Sequence, residues 1–437
     1  MTLPSADVIK MLCDYGAELH HAHKFQTGVA VFRRVLSMDP ASAAGHNGLG
    51  SSLYNLGSYR LAEMHLLKAL ALEPGSSAAC GNLGLLYAAQ RRWEESEAAF
   101  QRGLALLPGD VGLRWNLANM LLESGQWDRG LEEYESRIQH RGSPNFPKMP
   151  YPMWNGESLN GKTIFIQAEQ GIGDRLLTSR YLHWLKQTFP TARILYLSNA
   201  NMHSIMWEFR DTVEFVPEGI PWPRADYGLF EMSLLRLYKK LEQALGSGAE
   251  VCLPPDSGLI LKRALMDKRS VNLPEPNHPS LKVGICWTGN PAMDRNFERS
   301  VPLEMLIPLA ELPDVTLYSL QVGSNDILRL GANQVICDLS GAIDGKLART
   351  AAAMLHLDLV ITVCTSVAHL AGSLGVPTWV MLCHAPYWVW LSERADSVWY
   401  PNVSLFRQPS PGDWGAVVHN VKVQLEQLAS SKLSQAA

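Results

Sequence analysis

The sequence predicts an α-helical solenoid followed by two parallel-sheet α/β halves. Three observations carry this reading. The first third repeats with a 34-residue period; the remainder alternates short apolar runs with helical patterns; and polar or glycine-bearing turns directly follow several of those runs. At 437 residues the chain can hold two or three domains, and a hydrophobic content of 47% is enough for a sizeable core. A net charge of -4 leaves no basic footprint for nucleic acid or an anionic membrane. No apolar stretch reaches membrane-spanning length, and MTLPSADVIKMLCDYG lacks the basic start and apolar run of a signal peptide. Cys13, Cys80, Cys252, Cys286, Cys337, Cys364 and Cys383 form no C-x-x-C pair. This argues for reduced thiols in a cytoplasmic protein and against a structural zinc site.

Pro40, Pro74 and Pro108 stand 34 residues apart. Tyr15, Leu49, Leu83 and Leu117 form one column, followed by Gly16, Gly50, Gly84 and Ala118, then by Leu19, Leu53, Tyr87 and Leu121. Aromatics recur at Phe25, Tyr59, Trp93 and Trp127, small residues at Gly28, Ala62, Ser96 and Gly130, and large residues at Phe32, Leu66, Phe100 and Tyr134. The small columns let paired helices approach, and the large ones fill the layer between units, with Trp93 and Trp127 expected in the core. This pattern resembles the tetratricopeptide repeat. Four units are expected over residues 7–140, with a concave surface suited to a peptide or partner helix; the alternative is a scaffold that packs only on the rest of the chain.

Residues 141–162 carry four prolines and no helical period, which reads as a linker. Strands are then expected at 163–166, 194–197 and 213–216, with helices at 174–189 and 233–245. A second proline-rich gap, 271–280, separates this half (163–270) from another (281–430). There strands are expected at 283–287, 316–320, 335–339, 359–363 and 378–382, with helices at 303–312, 346–356 and 366–374. Strands alternating with helices imply parallel sheets with crossover connections, and two such halves imply a cleft between them. The last helix, 413–429, is expected to cross back onto the first half.

Three stretches carry chemistry. In QAEQGIGDRLL, residues 167–177, Gly171 and Gly173 permit a tight turn, and Asp174 falls in the first turn of a helix, as a cap or as a functional carboxylate. In CTSVAHLAG, residues 364–372, Thr365 and Ser366 offer hydroxyls at a strand end that feeds a helix start, a site suited to a diphosphate; His369 lies one turn in. Thr288, Gly289 and Asn290 end another strand, ahead of Asp294, Arg295, Arg299 and Ser300, and an arginine there can clamp phosphate. Trp287, Trp388, Trp390, Trp399 and Trp414 are candidates to wall a base or sugar, with packing as the alternative.

Together, AEQGIGD, VGICWTGNP, RSVPLEML, LYSLQVG, TSVAHLAGSLGVPTWVML and SVWYPNVSLFRQPSPGDW resemble glycosyltransferase family 9, which includes the bacterial heptosyltransferases, in its repeat-bearing form. They run in order through most of residues 163–414. The resemblance implies a GT-B fold, an acceptor-side first half, a donor-side second half, and inverting transfer from a nucleotide sugar without a bound metal. It assigns the general base to Asp174 and places Thr365 and His369 at the donor diphosphate; Ser366, Arg295, Arg299, Gly289 and Gln321 complete the expected donor-binding set. No cofactor is expected beyond the nucleotide-sugar co-substrate. The acceptor is expected to be a protein or glycan, such as a surface or flagellar subunit, held with a protein partner through the repeats. The chain departs from the family at three usually charged positions, now Cys364, Tyr387 and Val389. A catalytically inactive fold serving as a repeat scaffold is the alternative reading.

Overall fold

The computed structural model describes residues 6–139, 146–206, 209–244, 271–276, 280–293 and 296–436. Two compact units divide the chain, Met1–Gly142 and Ser143–Ala437. The first is helical throughout its described residues. Its helices are α1 (Ala6–His21), α2 (Phe25–Met38), α3 (Ala43–Asn55), α4 (Tyr59–Leu72), α5 (Ser77–Ala89), α6 (Trp93–Leu106), α7 (Val111–Glu123) and α8 (Trp127–Tyr134). The 34-residue period reappears in the caps. Ser42, Ser76 and Asp110 accept the backbone N–H groups of Gly45, Ala79 and Leu113 at 3.1, 3.4 and 3.0 Å, which starts each second-generation helix at the same phase. The small column works as its spacing implies: a Cβ on Gly50 or Gly84 would meet Leu66 or Phe100 at 2.7 and 2.6 Å. Trp127 is buried, whereas Trp93 is half-buried at the edge of the Phe100, Leu113 and Leu117 cluster.

The second unit contains β1 (Thr163–Gln167), α9 (Ile172–Thr178), α10 (Arg180–Thr188), β2 (Arg193–Ser198), α11 (Ala200–Ile205), β3 (Glu214–Pro217), β4 (Tyr227–Phe230) and α12 (Ser233–Ala244). Then follow β5 (Leu281–Cys286), α13 (Leu303–Leu306), β6 (Val315–Ser319), α14 (Asp326–Arg329), β7 (Ile336–Asp338), α15 (Ser340–Ile343) and α16 (Leu347–Met354). β8 (Leu359–Val363), α17 (Ser366–Leu374), β9 (Thr378–Leu382), β10 (Val403–Arg407) and α18 (Trp414–Ala436) complete it. Among the described residues the strands form two sheets, parallel throughout. One has the order β3-β2-β1-β4 and the other β10-β9-β8-β5-β6-β7. A solenoid followed by two parallel α/β halves is the architecture of the GT-B class.

Three local expectations shift. The helix expected over 174–189 is two helices that meet at Ser179, whose hydroxyl bonds back to the Leu176 carbonyl at 2.8 Å. The segment expected to link the units is packed: Trp154 and Leu159 are buried, and Trp154 N–H bonds the Gly228 carbonyl at 2.9 Å beside β4. α18 packs on the second half rather than the first. Val417, Val421 and Leu425 enter the core of the six-stranded sheet beside Val283, Leu317 and Phe406, and Lys432 pairs with Asp358 at 2.5 Å. No helix among the described residues is long and apolar enough to cross a membrane. The described cysteines are free thiols, and Cys252 lies outside the described residues.

Candidate functional site

Strand order locates the site. In the smaller sheet the chain reverses direction of travel between β1 and β4, and in the larger one between β5 and β8. Ligands of open α/β sheets bind in the crevice beyond the strand ends at such points. The loop after β1 carries Glu169 and Gly171 and leads into α9, whose first turn holds Gly173 and Asp174; the loop after β4 carries Glu231. The loop after β5 carries Thr288 and Gly289, and that after β8 carries Cys364, Thr365 and Ser366. The two mouths touch through α9 and α17. A Cβ on Gly173 would lie 2.7 Å from His369 Cδ2, so only glycine admits this approach.

Asp174 is half-exposed as a residue, yet its Oδ1 is buried with no hydrogen-bond partner. Burial pushes its pKa up to about 6; the neighbouring Tyr387 side chain opposes this and the Glu169 charge reinforces it. Asp174 is therefore mostly ionised at pH 7 and poised to take a proton. Behind it, Glu231 is fully buried, accepts the Tyr196 hydroxyl at 2.6 Å, and leaves Oε1 unpartnered. Burial lifts its pKa to about 8; Tyr196 and Arg175 oppose that rise, and Glu169 and Asp174 add to it, so Glu231 keeps its proton at neutral pH. Glu169 is spent on the fold, where its Oε1 accepts the Met232 N–H at 2.9 Å.

The donor-side residues divide into two groups. Thr365 caps α17, accepting the Val367 N–H at 3.3 Å, and its hydroxyl lies 3.3 Å from that of Thr362; Ser366, half-exposed, opens the helix. Arg299 lies over Gly289, where a Cβ would sit 2.7 Å from Nη2, and donates through Nε to Asn296 at 3.1 Å. Its Nη2 also lies 3.2 Å from the Met293 sulfur. These groups surround the β5–β8 switch point. Gln321 is used differently: its Oε1 accepts the backbone N–H groups of Trp287 and Thr288 at 3.3 and 3.1 Å, so it braces the loop. Arg295 lies outside the described residues.

His369 is the main electrostatic correction. It is 4% exposed, its ring tilted against Trp390 at 5.0 Å between centroids, and its Nδ1 lies 3.1 Å from the Tyr400 hydroxyl. Burial, reinforced by Arg180, pushes its pKa down to about 3. It is neutral and supplies no positive charge to a diphosphate. His369 Nδ1 and the Tyr400 hydroxyl share one hydrogen bond, and which of them donates depends on the imidazole tautomer.

Arg180 itself was not anticipated. It leaves α10 in the first half, donates to the Trp399 carbonyl at 3.0 Å in the second, and lies 5.0 Å from the Tyr400 ring centroid. The five tryptophans are all at most 7% exposed, and Trp390 donates its indole N–H to Cys364 at 3.1 Å, so they build the walls from behind. Among the described residues no group of three His, Cys, Asp or Glu is placed to hold a metal ion.

Residues 22–79 and 82–147 match a family model described as tetratricopeptide repeat. Protein FlbA of Caulobacter vibrioides is 25% identical over 347 residues, covering 71% of this chain; the chain spans 54% of that relative's length. A mutant O-GlcNAc transferase from Thermobaculum terrenum aligns with 99% of this chain and 94% of its own, at 15% identity and a TM-score of 0.34. MamA from Desulfovibrio magneticus RS-1 aligns with 31% of this chain and 77% of its own, at 24% identity and a TM-score of 0.27. The architecture of this chain rests on its repeat helices and its strand order.

Proposed function

We propose that the chain is an inverting glycosyltransferase of the family 9 type, moving a sugar from a nucleotide sugar to a protein or glycan acceptor. One observation carries the reading: the two switch points meet, with the free oxygen of Asp174 at one and Arg299, Thr365 and the start of α17 at the other. The acceptor hydroxyl oxygen attacks the anomeric carbon on the face opposite the leaving group. As that C–O bond forms, the bond from the anomeric carbon to the diphosphate breaks, and the hydroxyl proton passes to Asp174. The nucleoside diphosphate departs with the bonding electrons, its charge met by Arg299 and the N–H groups of α17. The repeats hold the acceptor or a partner.

A second reading, binding without transfer, is favoured by Val389 and Cys364. The first is fully buried and the second is engaged by Trp390, so neither replaces the charge the resemblance expects there. A melting-temperature screen against nucleoside diphosphates and nucleotide sugars tests the donor site. At a hundredfold excess over Kd, one nucleotide class should stabilise the chain by about 2.7 kcal/mol. Arg299→Ala should abolish that shift. A panel without any shift contradicts the proposal.

A further inference from the structure

A short path of bonds joins the two halves and runs between the two ends of the candidate site. Asp174 lies in the first turn of α9, and its carbonyl accepts the Thr178 hydroxyl one turn on, at 2.9 Å. Arg180 opens α10 two residues later and is 2% exposed. Its Nε donates to the Leu177 carbonyl at 2.9 Å in the first half, and its Nη1 to the Trp399 carbonyl at 3.0 Å in the second. The guanidinium also lies over the Tyr400 ring, 5.0 Å from the centroid. Tyr400 in turn packs on α17: a Cβ on Gly372 would stand 2.6 Å from its ring, and its hydroxyl lies 3.1 Å from His369 Nδ1. α17 starts at Ser366 after the Thr365 cap, at the diphosphate end of the site.

A buried guanidinium is costly unless hydrogen-bonded, and here the carbonyls that satisfy it belong to both halves. A second contact lies on other elements. α16 has no side-chain cap from its own N-cap residue, Lys346. Asn201 of α11 reaches it from the first half, accepting the Leu347 N–H at 3.1 Å and donating to the Gly345 carbonyl at 3.4 Å.

We propose that Arg180 is a positioning residue, with Asn201 as its outer support: together they hold the halves at one spacing, so that the base on α9 and the start of α17 face the same sugar. This rests on Asp174 being the base of the transfer proposed above. Arginine suits the place where lysine does not. Its planar fork reaches carbonyls on both sides while its face lies on an aromatic ring, and an ammonium brings charge without that geometry. Arg180→Lys therefore separates the two.

Hydrogen exchange read by mass spectrometry tests the joint without donor or acceptor. In Arg180→Met and Arg180→Lys, amides of α9 and α17 should exchange about tenfold faster, while those of β1 and β8 in the sheet cores keep the parent's rates. Asn201→Ala alters a half-exposed position and should act in the same direction at α9, α17 and the start of α16. It decides the matter if the Arg180 variants fail to melt cooperatively. With the donor identified by melting, Kd should stay within about twofold in the folded variants, whereas kcat should fall about a hundredfold in both Arg180 variants. Parent exchange rates at α9 and α17 in every folded variant overturn the positioning role. Full turnover in Arg180→Lys, or donor binding lost in Arg180→Met, overturns it as well, because Arg180 would then act through its charge. Loosened α9 and α17 in a protein whose parent shows no turnover contradict the transfer reading instead and leave the joint in place.

Discussion

Glu231 and Asp174 are both carboxyls whose pKa burial raises, and the sign of that shift fixes how stability depends on pH. A carboxyl with a folded pKa above its unfolded value near 4.3 favours folding while protonated. For Glu231 that contribution is present below about pH 4 and is lost as pH rises through about 8. Glu231→Gln keeps the shape of the protonated acid and cannot ionise. It should match the parent's melting temperature near pH 5 and exceed it above pH 8; melting curves across that range check this. A variant that falls below the parent above pH 8 would contradict this sign, because the ionised Glu231 would then be stabilising the fold. At this scale the sequence was half legible. Asp174 stood out through Gly171, Gly173 and the following helix. Arg180 and Trp399 could not be paired by reading, since their contact joins residues separated by 219 positions. The neutrality of His369 was hidden for the same reason: Gly173, Trp390 and Tyr400 cover it, and none is near it in the chain.

Among the elements, the repeat helices were legible because several columns keep one period and every column has a packing task. Gly84 tests that directly. Within a helix, Gly→Ala gains about 1 kcal/mol of propensity, but an added Cβ would stand 2.6 Å from the fully buried Phe100 ring. Overpacking of about 1–3 kcal/mol should win, so Gly84→Ala lowers stability in urea denaturation. Gly75→Ala, with nothing within 4 Å, is the control and should not. Less was legible in β4 and β10. The first is four residues with Gly228 in its middle, and the second is a five-residue edge strand, both too short for periodicity to separate from a loop. The linker was misjudged by composition, for prolines mark the absence of regular structure and say nothing about burial; Trp154 was the residue to weigh.

For the molecule as a whole, alternation of strands and helices gave parallel sheets, but only strand order could give the switch points, because pairing is non-local. Once β5 is seen beside β8 and β1 beside β4, the scattered motifs converge without further assumption. The packing of α18 belongs to the same scale: its apolar face suits either half, and the six-stranded sheet takes it. The central claim is that Asp174 takes the acceptor proton while the second half binds the leaving diphosphate. The most direct measurement uses the donor found by melting, with water as a slow acceptor. Release of nucleoside diphosphate is followed in the parent and in Asp174→Asn, and the anomer of the freed sugar is read by proton NMR. The expected result is release with inversion in the parent, and a rate about 10²–10⁴ lower in Asp174→Asn despite undiminished donor binding. Equal release by both proteins, or retention at the anomeric carbon, would contradict the account.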